Sequence, residues 1–163
     1  AMEEREWWVQ VAAPPRVLVF GAGPETPTLL PLLRSLGWMT TLVERRERWQ
    51  VEARHADAVV EAMPEAALSS LDAQGFDAAL VMNHNFEMDR EALFALADAS
   101  IPFIGLLGPM RRKDDLFRVL PASAREALQP RLRSPVGLKL GGQGPEAIAL
   151  SIAAQLQAYR FPQ

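Results

Sequence analysis

At 163 residues, with 49% hydrophobic and 23% charged content, the chain has the size and balance of one globular domain that can bury a core. A net charge of −3 creates no general field toward nucleic acid or anionic lipid, and no window approaches the ~18 apolar residues of a membrane span. There is no cysteine, which excludes disulfides, thiolate metal sites and a cysteine nucleophile within the chain, and the acidic start Glu3-Glu4-Arg5-Glu6 is no secretory signal, so cytoplasm is the default location.

Trp7 to Val11 is short and apolar, an edge strand or an arm, and Ala12-Ala13-Pro14-Pro15 breaks it. Val17-Leu18-Val19-Phe20 is a continuous apolar run, the pattern of a parallel strand buried on both faces. Gly21-Ala22-Gly23 makes a tight turn. A helix follows, with Pro27 in its first turn, Leu29, Leu30, Leu32, Leu33 and Leu36 at helical spacing, and Gly37 closing it. Thr40 to Val43 is a second strand ending at Glu44, and Arg45 to Arg54 reads as polar and helical. Ala58 to Val60 is a third strand, Pro64 to Leu71 a short helix, and Ala78 to Met82 a fourth strand. The pattern then predicts a helix over Asp89 to Ala99, capped by Asp89, and a fifth strand over Ile101 to Leu107. Asp114 to Leu128 reads as helical with a break near Pro121. Val136-Gly137-Leu138 is a short segment or strand, and Pro145 to Tyr159 is a long helix with Ile148, Ile152, Leu156 and Tyr159 on one face.

Strands alternating with helices predict an α/β fold: a three-layer, Rossmann-like, doubly wound and mostly parallel sheet, in one domain over residues 1–163 with 1–15 as its arm or edge strand. Ligands of such sheets bind at the carboxyl ends of the strands, near the point where strand order reverses. The residues that follow each strand are therefore the candidates.

Gly21-Ala22-Gly23-Pro24-Glu25-Thr26 resembles G-x-G-x-x-G without its last glycine, with Glu44 about 20 positions on where a ribose-binding acid would stand. Pro24 offers no N–H, Glu25 places a carboxylate where phosphates would lie, and Thr26 replaces the packing glycine. The turn thus reads as structural Rossmann geometry, with dinucleotide binding in the usual pose a lesser expectation. Arg45 and Arg46, after Glu44, are placed to meet a phosphate or to sit in a solvated loop. His84, after the fourth strand, is a titrating group at the carboxyl edge or a histidine held by local hydrogen bonds. Gly105 and Gly108 permit close approach by a ligand, and Arg111, Arg112 and Lys113 would raise the potential over a cleft or pair with Asp114 and Asp115. All the basic residues except Lys113 and Lys139 are arginine, a type suited to phosphate and carboxylate but also a common compositional bias. Gly137, Gly141, Gly142 and Gly144 lead into the last helix, as an anion site or as a packing loop. No catalytic set and no metal-ligand spacing stands out.

Several segments carry a resemblance. Pro14-Pro15-Arg16-Val17-Leu18-Val19-Phe20-Gly21-Ala22-Gly23 resembles the opening of the C-terminal domain of the XdhC/CoxI family. Leu36-Gly37-Trp38 with Val43-Glu44-Arg45-Arg46 fits its second strand, and Val81-Met82-Asn83-His84-Asn85 is similar to its V-M-T-H-D motif. Phe103 to Arg112 resembles Y-I-G-L-L-G-S-x-R-R, and Pro135 to Gly141 with Pro145 to Ala154 resembles P-I-G-L-D-I-G…P-E-E-I-A-x-S-I-A-A-E.

The resemblance implies an accessory protein that does no chemistry alone. It would bind molybdenum cofactor (molybdopterin), aid its sulfuration or insertion, and deliver it to a molybdenum hydroxylase apoenzyme of the xanthine dehydrogenase or CO dehydrogenase type. It further implies a cytoplasmic homodimer, with no nucleic-acid or membrane partner. Under that reading Gly21, Gly23, Gly105 and Gly108 approach the ligand by backbone, Glu44 takes a hydroxyl, Arg45, Arg111 and Arg112 supply charge, and His84 meets a polar edge. Two departures bear on it. The family's usual N-terminal domain is not among these residues, which is the expectation of a stand-alone relative or of a partner to a separate protein carrying that domain. Pro24 stands where the family has histidine, and Asn83-His84-Asn85 stands for T-H-D. The rival expectations are an NAD(P)-binding oxidoreductase or nucleotide-binding module, and a scaffold whose site has been lost and which works through a protein partner.

Overall fold

The computed structural model describes residues 2–72 and 75–163. Six strands form one sheet: β1 (Arg16–Phe20), β2 (Met39–Val43), β3 (Ala58–Val60), β4 (Ala78–Val81), β5 (Phe103–Leu106) and β6 (Leu132–Arg133). Their order is β3-β2-β1-β4-β5-β6, and every pairing is parallel. The order runs outward from β1 in both directions, so the reversal point lies between β1 and β4. The helices are α1 (Thr26–Ser35), α2 (Pro64–Ser70), α3 (Phe86–Ala97), α4 (Met110–Arg118), α5 (Ala122–Leu128) and α6 (Pro145–Arg160), with 3-10 turns at Glu47–His55 and Gln129–Arg131. Among the described residues no helix is long and apolar enough to cross a membrane.

The unbroken apolar run of β1 serves two cores. Val17 and Val19 pack with Leu29, Leu30 and Leu33 of α1 and Ile152 and Leu156 of α6. Leu18 and Phe20, pointing the other way, pack with Leu93 and Leu96 of α3, Leu116 of α4 and Leu128 of α5. Each of these side chains contributes about 1.5–3 kcal/mol of burial, which is why the sheet has no solvated face.

The register sets the site. Phe20 lies opposite Val43 and Val81, and Val81 opposite Leu106. The residues that follow β1, β2, β4 and β5 therefore emerge level at one edge.

Four expectations from the sequence are corrected. Trp7–Val11 forms no strand; residues 2–14 run exposed, leaving the arm. The α3 cap is Asn85, whose side chain accepts from the Met88 N–H at 2.9 Å, so the helix starts at Phe86 and Asp89 lies inside its first turn. Helix α4 starts at Met110 directly after Pro109, which puts Arg111, Arg112 and Lys113 in its first turn instead of in a loop before Asp114. The last strand is Leu132–Arg133, paired with Ile104 and Gly105. Val136-Gly137-Leu138, read as a short segment or strand, is the segment, with Val136 a core residue packed over Gly105.

Candidate functional site

The β1–α1 turn is held by its own neighbours. Gly21 adopts φ +97° and donates to Val43 O at 3.0 Å, and a Cβ there would collide with the Asn83 backbone. Only glycine lets the end of β4 come that close. The Ala22 N–H donates to Glu44 Oε1 at 3.0 Å, and the Gly23 N–H donates to Thr26 Oγ1 at 2.9 Å. Thr26, standing in for the third glycine of the motif, thus supplies an acceptor to the turn.

Glu44, at the end of β2, is 1% exposed. Its carboxylate also accepts from the Arg46 guanidinium, Nη2 at 2.7 Å and Nε at 3.0 Å, and from the Arg46 N–H at 3.1 Å. Burial pushes its acidity toward the neutral form, but the Arg46 side chain and the Ala22 and Arg46 N–H groups outweigh that, leaving the carboxyl below its ordinary range. Arg46 Nη1 reaches on to Asn83 O at 2.8 Å. Glu44 and Arg46 together buckle the end of β2 to the ends of β1 and β4, and the buried Glu44 carboxylate is largely engaged by these donors.

After β4 the chain turns through His84, a non-glycine residue with φ +53°. Such a backbone costs of order 1–3 kcal/mol, and surrounding contacts must hold it. Here His84 Nε2 meets both oxygens of Glu25, at 3.0 and 3.1 Å. Glu25 is 3% exposed, whereas the His84 side chain is 41% exposed. The hydrogen bond to Glu25 raises the His84 pKa above its ordinary value; burial opposes this, and the charges of Glu25 and Asp89 add to it. Beside them Asp89, 1% exposed, accepts from the Asn83 N–H and the Asn83 side-chain amide, each at 3.0 Å, and from Arg112 Nη2 at 2.8 Å. Among the described residues nothing donates to the buried Asn83 Oδ1.

These groups line a cleft of about 370 Å³ bounded by Glu25, His84, Asp89, Arg112, the Leu107-Gly108-Pro109 turn and Ile148 of α6. It sits over the carboxyl ends of β1, β4 and β5, at the reversal of strand order. Carboxylates and cations stand side by side in it, so it offers acceptors and donors to a polar ligand at once.

Of the residues singled out in the sequence, His84, Gly108 and Arg112 line the cleft. Gly21, Gly23 and Glu44 adjoin it as the turn and its brace. Gly105 is absent from the cleft lining: it is buried in β5, and the space of its missing Cβ is filled by Val136 and, at 2.9 Å, by Leu80 Cδ2. Arg45 and Arg111 are exposed and lie outside the lining, because the turns direct Arg46 and Arg112 inward in their place. The sequence marks Asp89 only as a cap, yet its spacing holds a further signal. It precedes Ala92, Leu93 and Leu96 on the buried helical face, and a carboxylate on an apolar stripe needs a partner.

The family model described as the XdhC Rossmann domain matches residues 17–156. A Bacillus subtilis (strain 168) protein named as a probable xanthine dehydrogenase subunit is 32% identical over 144 residues, covering 87% of this chain and 42% of its own length. The crystal structure of a Bacillus halodurans protein described as a xanthine dehydrogenase superposes with a TM-score of 0.77 at 32% identity, covering 89% of this chain and 44% of that one. Escherichia coli (strain K12) YqeB is 36% identical over 93 residues, 56% of this chain and 17% of its own length. The chain therefore spans less than half of each of these relatives. A match across nearly the whole ordered sheet, with the residues of the cleft inside it, means that this chain belongs to the XdhC family through that family's Rossmann domain.

Proposed function

We propose that this chain is the cofactor-handling domain of an accessory system for molybdenum hydroxylases: it holds molybdenum cofactor at the carboxyl edge of its sheet, for sulfuration or insertion into an apoenzyme of the xanthine dehydrogenase or CO dehydrogenase type. The observation that carries the reading is the cleft at the strand-order reversal of an XdhC Rossmann domain, with Glu25 and Asp89 facing it beside His84 and Arg112.

The residues fit a molybdopterin. At about 370 Å³ the cleft lies within the ordinary range of small-molecule pockets. A pterin presents neighbouring N–H donors and a carbonyl, which suit a carboxylate and a cation respectively; its single terminal phosphate suits Arg112 and His84. Glu25, Asp89, His84 and Arg112 would hold the group, with Gly108 allowing close approach. When bound, the cofactor supplies a molybdenum–dithiolene centre. The chain contains no cysteine, so it has no thiol of its own to carry sulfur to that centre. In this reading its residues bind and orient the cofactor, and the sulfur would come from outside these 163 residues. The partner in this reading is the hydroxylase apoenzyme. The chain would act in the cytoplasm as a homodimer.

Anaerobic calorimetry with molybdopterin tests it. Binding near micromolar affinity, about −8 kcal/mol, is expected. Arg112→Ala should weaken it by about tenfold or more, through a lost charge-assisted bond, while Arg111→Ala should leave it unchanged. Undetectable binding, or equal affinity in wild type and Arg112→Ala, would defeat the reading.

A further inference from the structure

A Rossmann turn that holds a diphosphate aims backbone N–H groups and a helix N-terminus at it. In this turn the Ala22 N–H is taken by Glu44, the Gly23 N–H is taken by Thr26 Oγ1, and position 24 is proline. The open flank of Gly23, by which a ligand would approach the backbone, is covered. His84 Cδ2 and Nε2 lie 2.8 Å from the place of a Cβ there, and Glu25 Oε2 lies 2.9 Å from it. Glu25 itself is nearly inaccessible at 3% exposure, yet it lines the cleft. Its charge stays where a diphosphate would have to sit, and like charges at that range repel strongly in a poorly hydrated site.

The same carboxylate has acceptor capacity to spare. An ionised carboxylate offers about four lone-pair sites. Both Glu25 oxygens approach the one His84 nitrogen, and the Ala22 and Gly23 N–H groups are bonded elsewhere.

We propose that Glu25 is the specificity-determining residue of this cleft: it excludes diphosphate-bearing ligands from the β1–α1 turn and selects ligands that present adjacent N–H donors, of the aminopyrimidinone kind. The proposal rests on the cofactor reading above and gives it a direction. The ligand edge that faces Glu25 is a donor edge, and a nicotinamide or other dinucleotide is refused. His84 then acts as a positioning residue. It holds the Glu25 carboxylate over Gly23 and gives way, on its exposed side, to a ligand that offers donors of its own.

Two probes separate the parts of the proposal. ADP-ribose carries the diphosphate without a pterin, and neopterin carries the aminopyrimidinone without a phosphate. Calorimetry follows the first, and ligand fluorescence the second. The proteins are wild type, Glu25→Gln, which keeps size and a bond to His84, and the double variant Glu25→Gln with Thr26→Gly, which also frees the Gly23 N–H; thermal unfolding checks that each is folded. Wild type should give no heat with ADP-ribose up to ~1 mM, while the double variant binds it at least about tenfold more tightly. Neopterin should bind wild type and lose about tenfold in Glu25→Gln, the cost of a hydrogen bond to a charged group. Equal ADP-ribose affinity in wild type and the double variant overturns the exclusion. Equal neopterin affinity in wild type and Glu25→Gln overturns the donor selection. A gain in ADP-ribose binding with no neopterin binding by any variant supports the exclusion while overturning both the donor selection and the pterin reading beneath it.

Discussion

Replacing Asp89 tests whether the cleft is held by a buried polar network or only by packing. Asp89 is 1% exposed and accepts three hydrogen bonds: the Asn83 N–H and side-chain amide at 3.0 Å each, and Arg112 at 2.8 Å. Asp89→Ala leaves two buried Asn83 donors without an acceptor. An orphaned buried donor costs about 1–3 kcal/mol, and the Arg112 bond adds less because that side chain, 28% exposed, can rehydrate. The sum is about 2–6 kcal/mol, which in a domain of this size lowers Tm by about 4–24 °C. Asp89→Asn keeps one acceptor oxygen and the shape, and should cost about 1 kcal/mol. Urea unfolding followed by tryptophan fluorescence and by circular dichroism measures both variants, with equal m-values required for the comparison. Asp89→Ala within about 0.5 kcal/mol of wild type would refute the network, since a surface substitution costs no more than that.

Arg131 makes a second, separate case. Its guanidinium donates to the carbonyls of Ala99 at 2.7 Å, Ile101 at 2.9 Å, Leu96 at 3.3 Å and Ala97 at 3.4 Å, closing the C-terminal end of α3. Arg131→Ala should cost about 1–3 kcal/mol by urea unfolding, and Arg131→Lys should recover only part, because an ammonium cannot span the fork. Gly105→Ala drives a methyl against Val136 and Leu80 and should destabilise by about 1–3 kcal/mol, whereas a ligand-approach glycine would tolerate it in the unliganded protein. His84, with its pKa raised above 6.5 by Glu25, adds stability that is complete below pH 6.5 and lost as pH rises through the folded value. The gain is reduced by solvent at 41% exposure, so the wild-type minus His84→Gln difference in Tm should be small, positive at pH 6 and smaller at pH 9; a constant difference would refute the ion pair. Glu44 runs oppositely, its contribution present above pH 4.5 and lost as pH falls through a folded value below that.

The fold was readable because each of its signals is local. The continuous apolar run Val17–Phe20, closed by Gly21, has the pattern of a strand buried on two sides, and the leucines from Leu29 to Leu33 mark the helix that covers one of them. The level strand ends follow from a parallel sheet, so the sequence points to the residues after β4 and β5, His84 and the Arg111-Arg112 pair, as neighbours at that edge. What the sequence hid were choices between neighbours. Arg45 or Arg46, and Arg111 or Arg112, differ by one step of a turn or about 100° around a helix, and only the packed chain decides which faces inward. Gly105 and Val136 show the same limit at longer range. A glycine at a strand end is read as room for a ligand until a residue 31 positions on is found to fill it.

The residues at the strand ends form a continuous chain of charge-assisted bonds: Glu44 to Arg46, Arg46 to the Asn83 carbonyl, Asn83 to Asp89, and Asp89 to Arg112. It ties β2, β4, α3 and α4 across the point where the strand order reverses. In a dinucleotide-binding sheet the ligand's own phosphates and ribose hydroxyls would satisfy several of these groups. Here the protein itself engages most of them, and the donors of the β1–α1 turn, the Ala22 and Gly23 N–H groups, have nothing left to offer a diphosphate. What remains open to a ligand is the short span between Glu25 and Arg112, where an acceptor and a donor face the same cleft. Under the proposed function a ligand would enter by displacing one partner of Glu25, His84, and leave the rest of the network standing, which suits reversible holding and release better than the wrapped, fully engaged grip of a dinucleotide site.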